Sequence, residues 1–164
     1  MRDEGRGVTT GEALWPYALE LYARPGVEAL LLELQDAHSQ CVPYLIWSLW
    51  LAASGRPLDA ARLAAGAELA RAWQDAAVGP LRTLRRDLKR PGRAAMIPAR
   101  RRLREKVAAL ELEAERMLLQ MLQEASPATG VAAAGPLAHL EAATRAWGRE
   151  APRALVERLA SITA

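Results

Sequence analysis

Phenylalanine is absent from this 164-residue chain, and cysteine and histidine are scarce, with one and two copies. Without Phe, aromatic packing falls to five Trp and three Tyr. The lone cysteine, Cys41, excludes an internal disulfide and with it a small disulfide-framed fold. β-Branched residues are few, and no alternating strand pattern emerges. No glycine-rich phosphate loop, serine elbow, paired cysteine set or His-Glu-x-x-His string occurs, so the common nucleotide, hydrolase and zinc chemistries have no visible seat. The longest uncharged window, Ala37–Gly55, is mainly apolar only over Cys41–Ala53 and is interrupted by Pro43. That suits a buried core helix better than a membrane span. Met1–Thr10 is polar and lacks the apolar stretch of a secretory signal. A reducing cytoplasm is therefore the expected setting.

What the chain has in abundance is Ala, Leu, Arg and Glu, all helix formers. About half its residues are hydrophobic, 51%, which describes a globular rather than a disordered chain. Its length fits one domain. The periodicity predicts an all-α, single-domain bundle of six or seven mostly antiparallel helices. Thr9–Glu12 offers a capping-box start, and Pro25-Gly26 stops the first helix by Arg24. Further helices are expected over about Pro25–Ser39 and from Pro43 to a C-cap at Ser54-Gly55. Asp59 then caps a long helix with the inward face Leu63, Ala70, Trp73, Ala77, Leu81, Leu84 and Leu88. Pro80 lies inside it and should kink or briefly break it. Another long helix is expected over Pro98–Glu124, with the seam Leu103, Val107, Leu110, Ala114, Met117 and Met121. That seam serves an internal or a dimer contact equally well. Two shorter helices, Pro136–Trp147 and Pro152–Ser161, close the chain. The expected organisation is a flexible tail over 1–10, a helical core domain over 11–125, and a loop with C-terminal helices over 126–164 packed on the same domain.

Charge is unevenly placed. Eleven of the 22 basic residues fall between Arg82 and Lys106, where only Asp87 and Glu105 oppose them. The segment carries +9 in a chain of net +3, so the remainder is acidic by −6. Such asymmetry calls for a partner or an internal counter-surface. Arg82, Arg85, Arg86 and Lys89 form one helical stripe beside the stripe of Leu81, Leu84 and Leu88. Arg100, Arg101, Arg102 and Arg104 crowd a helix start, where each exposed cation costs about 0.3–1 kcal/mol. Three readings stand: a solvated arginine-rich hairpin, a face for an acidic protein surface, and a face for nucleic-acid backbones. No aromatic residue lies between Arg82 and Lys106, which disfavours base stacking and leaves only unspecific phosphate attraction. The acidic protein is preferred, with Arg82, Arg85, Arg86, Lys89, Arg93, Arg100, Arg101 and Arg104 as candidate contact residues. No catalytic, cofactor-binding or metal-binding residue is assigned.

Elsewhere the bland readings win. Trp47 and Trp50, on a helix apolar on nearly all sides, read as core rather than as a cofactor-stacking pair, with indole N–H acceptors sought in Ser48, Gln35 or main-chain carbonyls. Gln35, Asp36, His38 and Cys41 form the one chemically varied cluster, in which Gln35 and Asp36 are expected to bond a neighbouring helix end or loop and Cys41 to pack as a small apolar group. A Cys41–His38 nucleophile and base lacks an orienting partner, and the spacing matches no familiar metal site. His139 reads as a surface residue on a short helix.

The order of several strings also resembles a known family. Leu14-Trp15, Leu21–Val27, Leu34–Asp36 and Leu49–Ala52 follow its N-terminal pattern. Trp73, Pro80–Arg82, Arg85-Arg86 and Leu88-Lys89 follow its middle, and Glu111-Leu112 and Glu115-Arg116 the helix after that. Over about Leu14–Leu122 the chain resembles the uncharacterised proteobacterial domain-of-unknown-function family 2390. The resemblance implies a small bacterial cytoplasmic protein, and it carries over no catalytic residue.

Overall fold

The computed structural model describes residues 13–57, 59–128 and 134–163. The tail expected over 1–10 and the capping box at Thr9–Glu12 lie outside the described residues, as do residues 129–133 of the loop between the last long helix and the closing pair. The elements are α1 (Leu14–Ala23), α2 (Val27–Asp36), α3 (Val42–Ala53), α4 (Ala60–Trp73), α5 (Gly79–Lys89), α6 (Ile97–Glu124), α7 (Pro136–Trp147) and α8 (Arg153–Thr163). A π-helical turn, Gln74–Val78, joins α4 to α5 without a break, so the described residues form seven continuous helices and no strand.

The punctuation follows the local chemistry. Gly26 takes a left-handed φ of 83° between α1 and α2, a conformation that costs glycine little. The Asp59 side chain accepts the Arg62 N–H at 2.8 Å and so caps α4. Pro43, Pro98 and Pro136 all sit in first turns, where a missing N–H is harmless.

The core is built around α3, in which ten of twelve residues are buried. Helices α1, α2, α4, α6 and α7 all pack on it, and α8 packs on α2 and α7. Gly66 of α4 lets the Trp47 ring approach so closely that a Cβ there would meet it at 2.7 Å. Trp residues tie the helices together: Trp73 Nε1 donates to Ala114 O at 2.8 Å, and Trp147 Nε1 to Ser39 O at 2.8 Å. Trp47 Nε1 finds Ser126 Oγ at 2.7 Å rather than Ser48 or Gln35; Ser48 bonds back to Leu45 O. Trp50 Nε1 has no acceptor among the described residues, and the Arg56 guanidinium lies 4.2 Å over its ring.

Two faces differ from the periodicity. In the long helix, Leu63 and Ala70 are buried as expected, but at the end of the π turn Val78 is buried in place of Ala77. A π turn holds one more residue than an α turn, so every later inward position moves one residue along the chain. Arg82 and Arg85 therefore turn inward beside Leu81, Leu84 turns to solvent, and at the end of the helix Leu88 stays half-buried while Lys89 is exposed. No residue of α5 is fully buried, and Leu84 is exposed. The feature expected as a kink at Pro80 is this widened turn. Gly79 N–H donates to Gln74 O, five residues back, and a Cβ on Gly79 would stand 2.8 Å from that oxygen. On α6 the inward face is Val107, Glu111, Ala114, Leu118, Leu119 and Leu122, while Leu103, Leu110 and Met117 stay exposed.

Candidate functional site

The displaced register brings the basic stripe of α5 against the acids of α6. Arg82 Nε donates to Glu111 Oε1 and Arg82 Nη2 to Glu115 Oε1, each at 2.9 Å. Arg85 Nε donates to Glu111 Oε2. The side chains of Arg82 and Glu111 are only 13% and 9% exposed. Burial raises the Glu111 pKa, but its bonds to Arg85 and Arg82 outweigh that and hold it below the usual carboxylate range. For Glu115 burial prevails over Arg82 and the pKa is raised. The bond to Glu111 raises Arg85 in turn. Arg86 pairs with Asp36 at the end of α2, 3.0 Å away on the surface. Arg82 and Arg85 are thus structural members of an α5–α6 ion cluster, and Arg86 is already engaged. This corrects the expectation of an unopposed four-residue stripe. The counter-surface for three of its four residues is internal, and Lys89 alone is left without an ion pair among the described residues.

The remaining candidates gather at the turn between α5 and α6. Arg100 reaches back so that Nη2 donates to Asp87 O at 2.6 Å and to Arg90 O at 3.3 Å. It closes the C-terminus of α5, where a cation is favoured by the free carbonyls. Beside it opens a cleft of about 360 Å³ lined by Lys89, Arg90, Arg100, Arg101 and Arg104, with no carboxylate in its wall. Arg90 pairs with Asp87 at 3.2 Å. Lys89, Arg93, Arg101 and Arg104 have no ion pair among the described residues. Met96 and Ile97, exposed at 49% and 53%, add an apolar edge to the same turn. The eight candidates therefore split: Lys89, Arg93 and Arg101 face outward at the turn, Arg104 is half-buried with its Nε enclosed and without an acceptor among the described residues, Arg100 is a cap that also lines the cleft, and Arg82, Arg85 and Arg86 are already paired.

A second cleft, of about 420 Å³, lies where α2, α4, α5 and α7 meet, lined in part by Asp36, Gln40, Arg71, Arg86, Trp147 and Arg149. Its Arg71 and Trp147 went unnoticed in the sequence because they come together only through α4–α7 packing. Arg71 Nη2 donates to Ala146 O and Trp147 O, each at 2.9 Å, and its guanidinium lies 5.0 Å over the Trp147 ring. Gln40 Nε2 donates to Arg149 O at 2.9 Å. Several polar groups of this cleft are thus engaged within its wall, whereas Gln40 Oε1 is buried without a partner among the described residues.

The Gln35–Cys41 cluster does not assemble into a nucleophile and base. Cys41 is buried, and burial pushes its thiol up to about 11 despite the Gln74 amide that donates to Sγ at 3.4 Å. Such a thiol stays protonated near neutral pH. Asp36 reaches Arg86 rather than a helix end or loop. Among the described residues no group of three His, Cys, Asp or Glu side chains is placed to hold a metal ion. His139 is buried, not on the surface as its sequence suggests. Its Nδ1 lies 3.1 Å from Gly135 O, and burial lowers its pKa. Among the described residues no helix is long and apolar enough to cross a membrane.

Comparison with known proteins gives one match. A family model described as "Protein of unknown function (DUF2390)" matches residues 13–122, which include α1 to α5 and most of α6. No curated protein and no solved structure matches the chain.

Proposed function

We propose, starting from the fact that the chain belongs to the DUF2390 family, that it is a non-catalytic binding or adaptor protein. The α5–α6 turn docks an acidic protein surface, in a bacterial cytoplasm where a lone thiol stays reduced. The observation that carries this reading is the cleft at the turn, whose wall holds five cations and no carboxylate. The ion cluster of Arg82, Arg85, Glu111 and Glu115 braces the hairpin that presents it. Cations held at a helix start against the local dipole are a standing cost, which an acidic partner would relieve. Exposed Met96 and Ile97 beside them suit a protein surface, with its mixed polar rim and apolar centre, better than a bare phosphate backbone.

Immobilised protein exposed to cell lysate at low salt, with and without nuclease, tests the reading. The wild type should retain a protein that survives nuclease and is lost when Lys89, Arg93 and Arg101, all exposed, are replaced by Glu. Unfolding free energy should stay within about 0.5 kcal/mol per exposed site. Retention that persists in the triple variant rejects the proposed face. A signal abolished by nuclease favours the nucleic-acid reading, and its salt slope would then count the phosphates engaged.

A further inference from the structure

Leu103, Leu110 and Met117 recur every seven residues along α6, and no other described element covers them. They are 47%, 56% and 44% exposed. Seven-residue spacing keeps them in one line on the helix, the arrangement that a second helix covers in a coiled coil. The flanking charges indicate which helix. Lys106 stands four residues before Leu110 and Glu113 three after, both on the outer side of the stripe, and neither has an ion pair among the described residues. We propose that the stripe is the interface of a two-fold symmetric homodimer, in which α6 packs antiparallel on α6 of a second copy with the axis passing at Leu110.

The register follows from helix geometry. At 1.5 Å per residue, Leu103 and Met117 lie equal distances of about 10 Å from Leu110, so each would oppose the other across the axis. Lys106 at about 6 Å and Glu113 at about 4.5 Å come nearly level, cation to carboxylate, twice per dimer. A parallel pairing would put the Lys106 and Glu113 of the two copies on opposite flanks of the seam, so neither ion pair could form. The N-terminal segment is a poor alternative cover, because residues 1–12 hold only Met1 and Val8 as large apolar side chains among five charges. Arg101 and Arg104 lie about 100–160° around the helix from Leu103, so the dimer leaves the basic cleft open. This inference is independent of the adaptor reading.

Sedimentation equilibrium on the full chain at high micromolar concentration tests it. Wild type should be a dimer. Leu110→Asp places two carboxylates at the axis and should raise the dissociation constant by about tenfold or more, with thermal unfolding of the monomer unchanged because the site is exposed. Lys106→Glu and Glu113→Lys should each weaken the dimer, and the double variant should restore it. A monomeric wild type overturns the proposal. So does a dimer indifferent to Leu110→Asp, or a double variant no stronger than the singles, which would refute the antiparallel register.

Discussion

Glu111 is 7% exposed between two guanidinium groups, and its position makes the α5–α6 pair depend on single atoms. An ion pair this buried gains little over an apolar pair of the same shape, yet removing one member strands the other. Arg82→Ala leaves Glu111 with one partner and Glu115 with none, and should cost about 3 kcal/mol in denaturant unfolding. By contrast, Lys89→Ala, at an exposed site, should change stability by less than about 0.5 kcal/mol. His139 gives a second residue-level test. Its pKa is lowered in the fold, so the unfolded chain binds the proton more readily. Its contribution is complete above the ordinary histidine pKa and is lost as pH falls below it. The melting temperature should therefore decline between about pH 7.5 and 5.5, and His139→Gln should flatten that decline. The burial of His139 was not legible in the sequence, because a lone histidine among alanines carries no local sign of what covers it. Cys41 was legible as a small packing group, since its one nearby base in the sequence, His38, has no partner to orient it.

The π turn is the element-scale feature that decides which face of α5 looks inward. It places the arginine stripe against Glu111 and Glu115 and turns Leu84 to solvent. Helix boundaries were readable to within about three residues, because Pro25-Gly26, Ser54-Gly55, Asp59 and Pro136 each act through local backbone chemistry. The facing of α5 was not. A period of 3.6 residues carried through Gln74–Val78 puts the leucines inside, and one extra residue in a single turn exchanges them for the arginines. The same error in phase hid the internal partner of the +9 segment. On α6 the seam was half right: Val107 and Ala114 are buried, whereas the ion cluster draws Glu111 inward and leaves Leu103 and Leu110 outside. Gly79 holds the turn open. Gly79→Ala would set a Cβ 2.8 Å from the Gln74 carbonyl, main-chain atoms that cannot swing aside. It should destabilise the protein by about 1–3 kcal/mol, the range for overpacking, as read from the shift in urea midpoint.

Across the whole molecule stability is graded from α3 outward. The central helix is buried on every side, whereas α5 has no fully buried residue and residues 91–99 are all exposed. Hydrogen exchange followed by mass spectrometry should show the amides of residues 90–96 exchanging first and those of α3 last, near the limit set by global unfolding. Protection of the turn equal to that of α3 would contradict this gradient. A loose tip on a braced hairpin is also what a docking face needs, since the side chains that meet a partner can settle without disturbing the core.

The order of the helices has a further result for how the protein is made. Helix α3 leaves the ribosome early, but α6 and α7, which supply much of its covering, are translated later. Until about Trp147 has emerged, a twelve-residue segment bearing Trp47, Trp50 and Tyr44 has only part of its native shelter. The nascent chain is thus committed to late closure, and premature termination within α6 would release a fragment prone to aggregate.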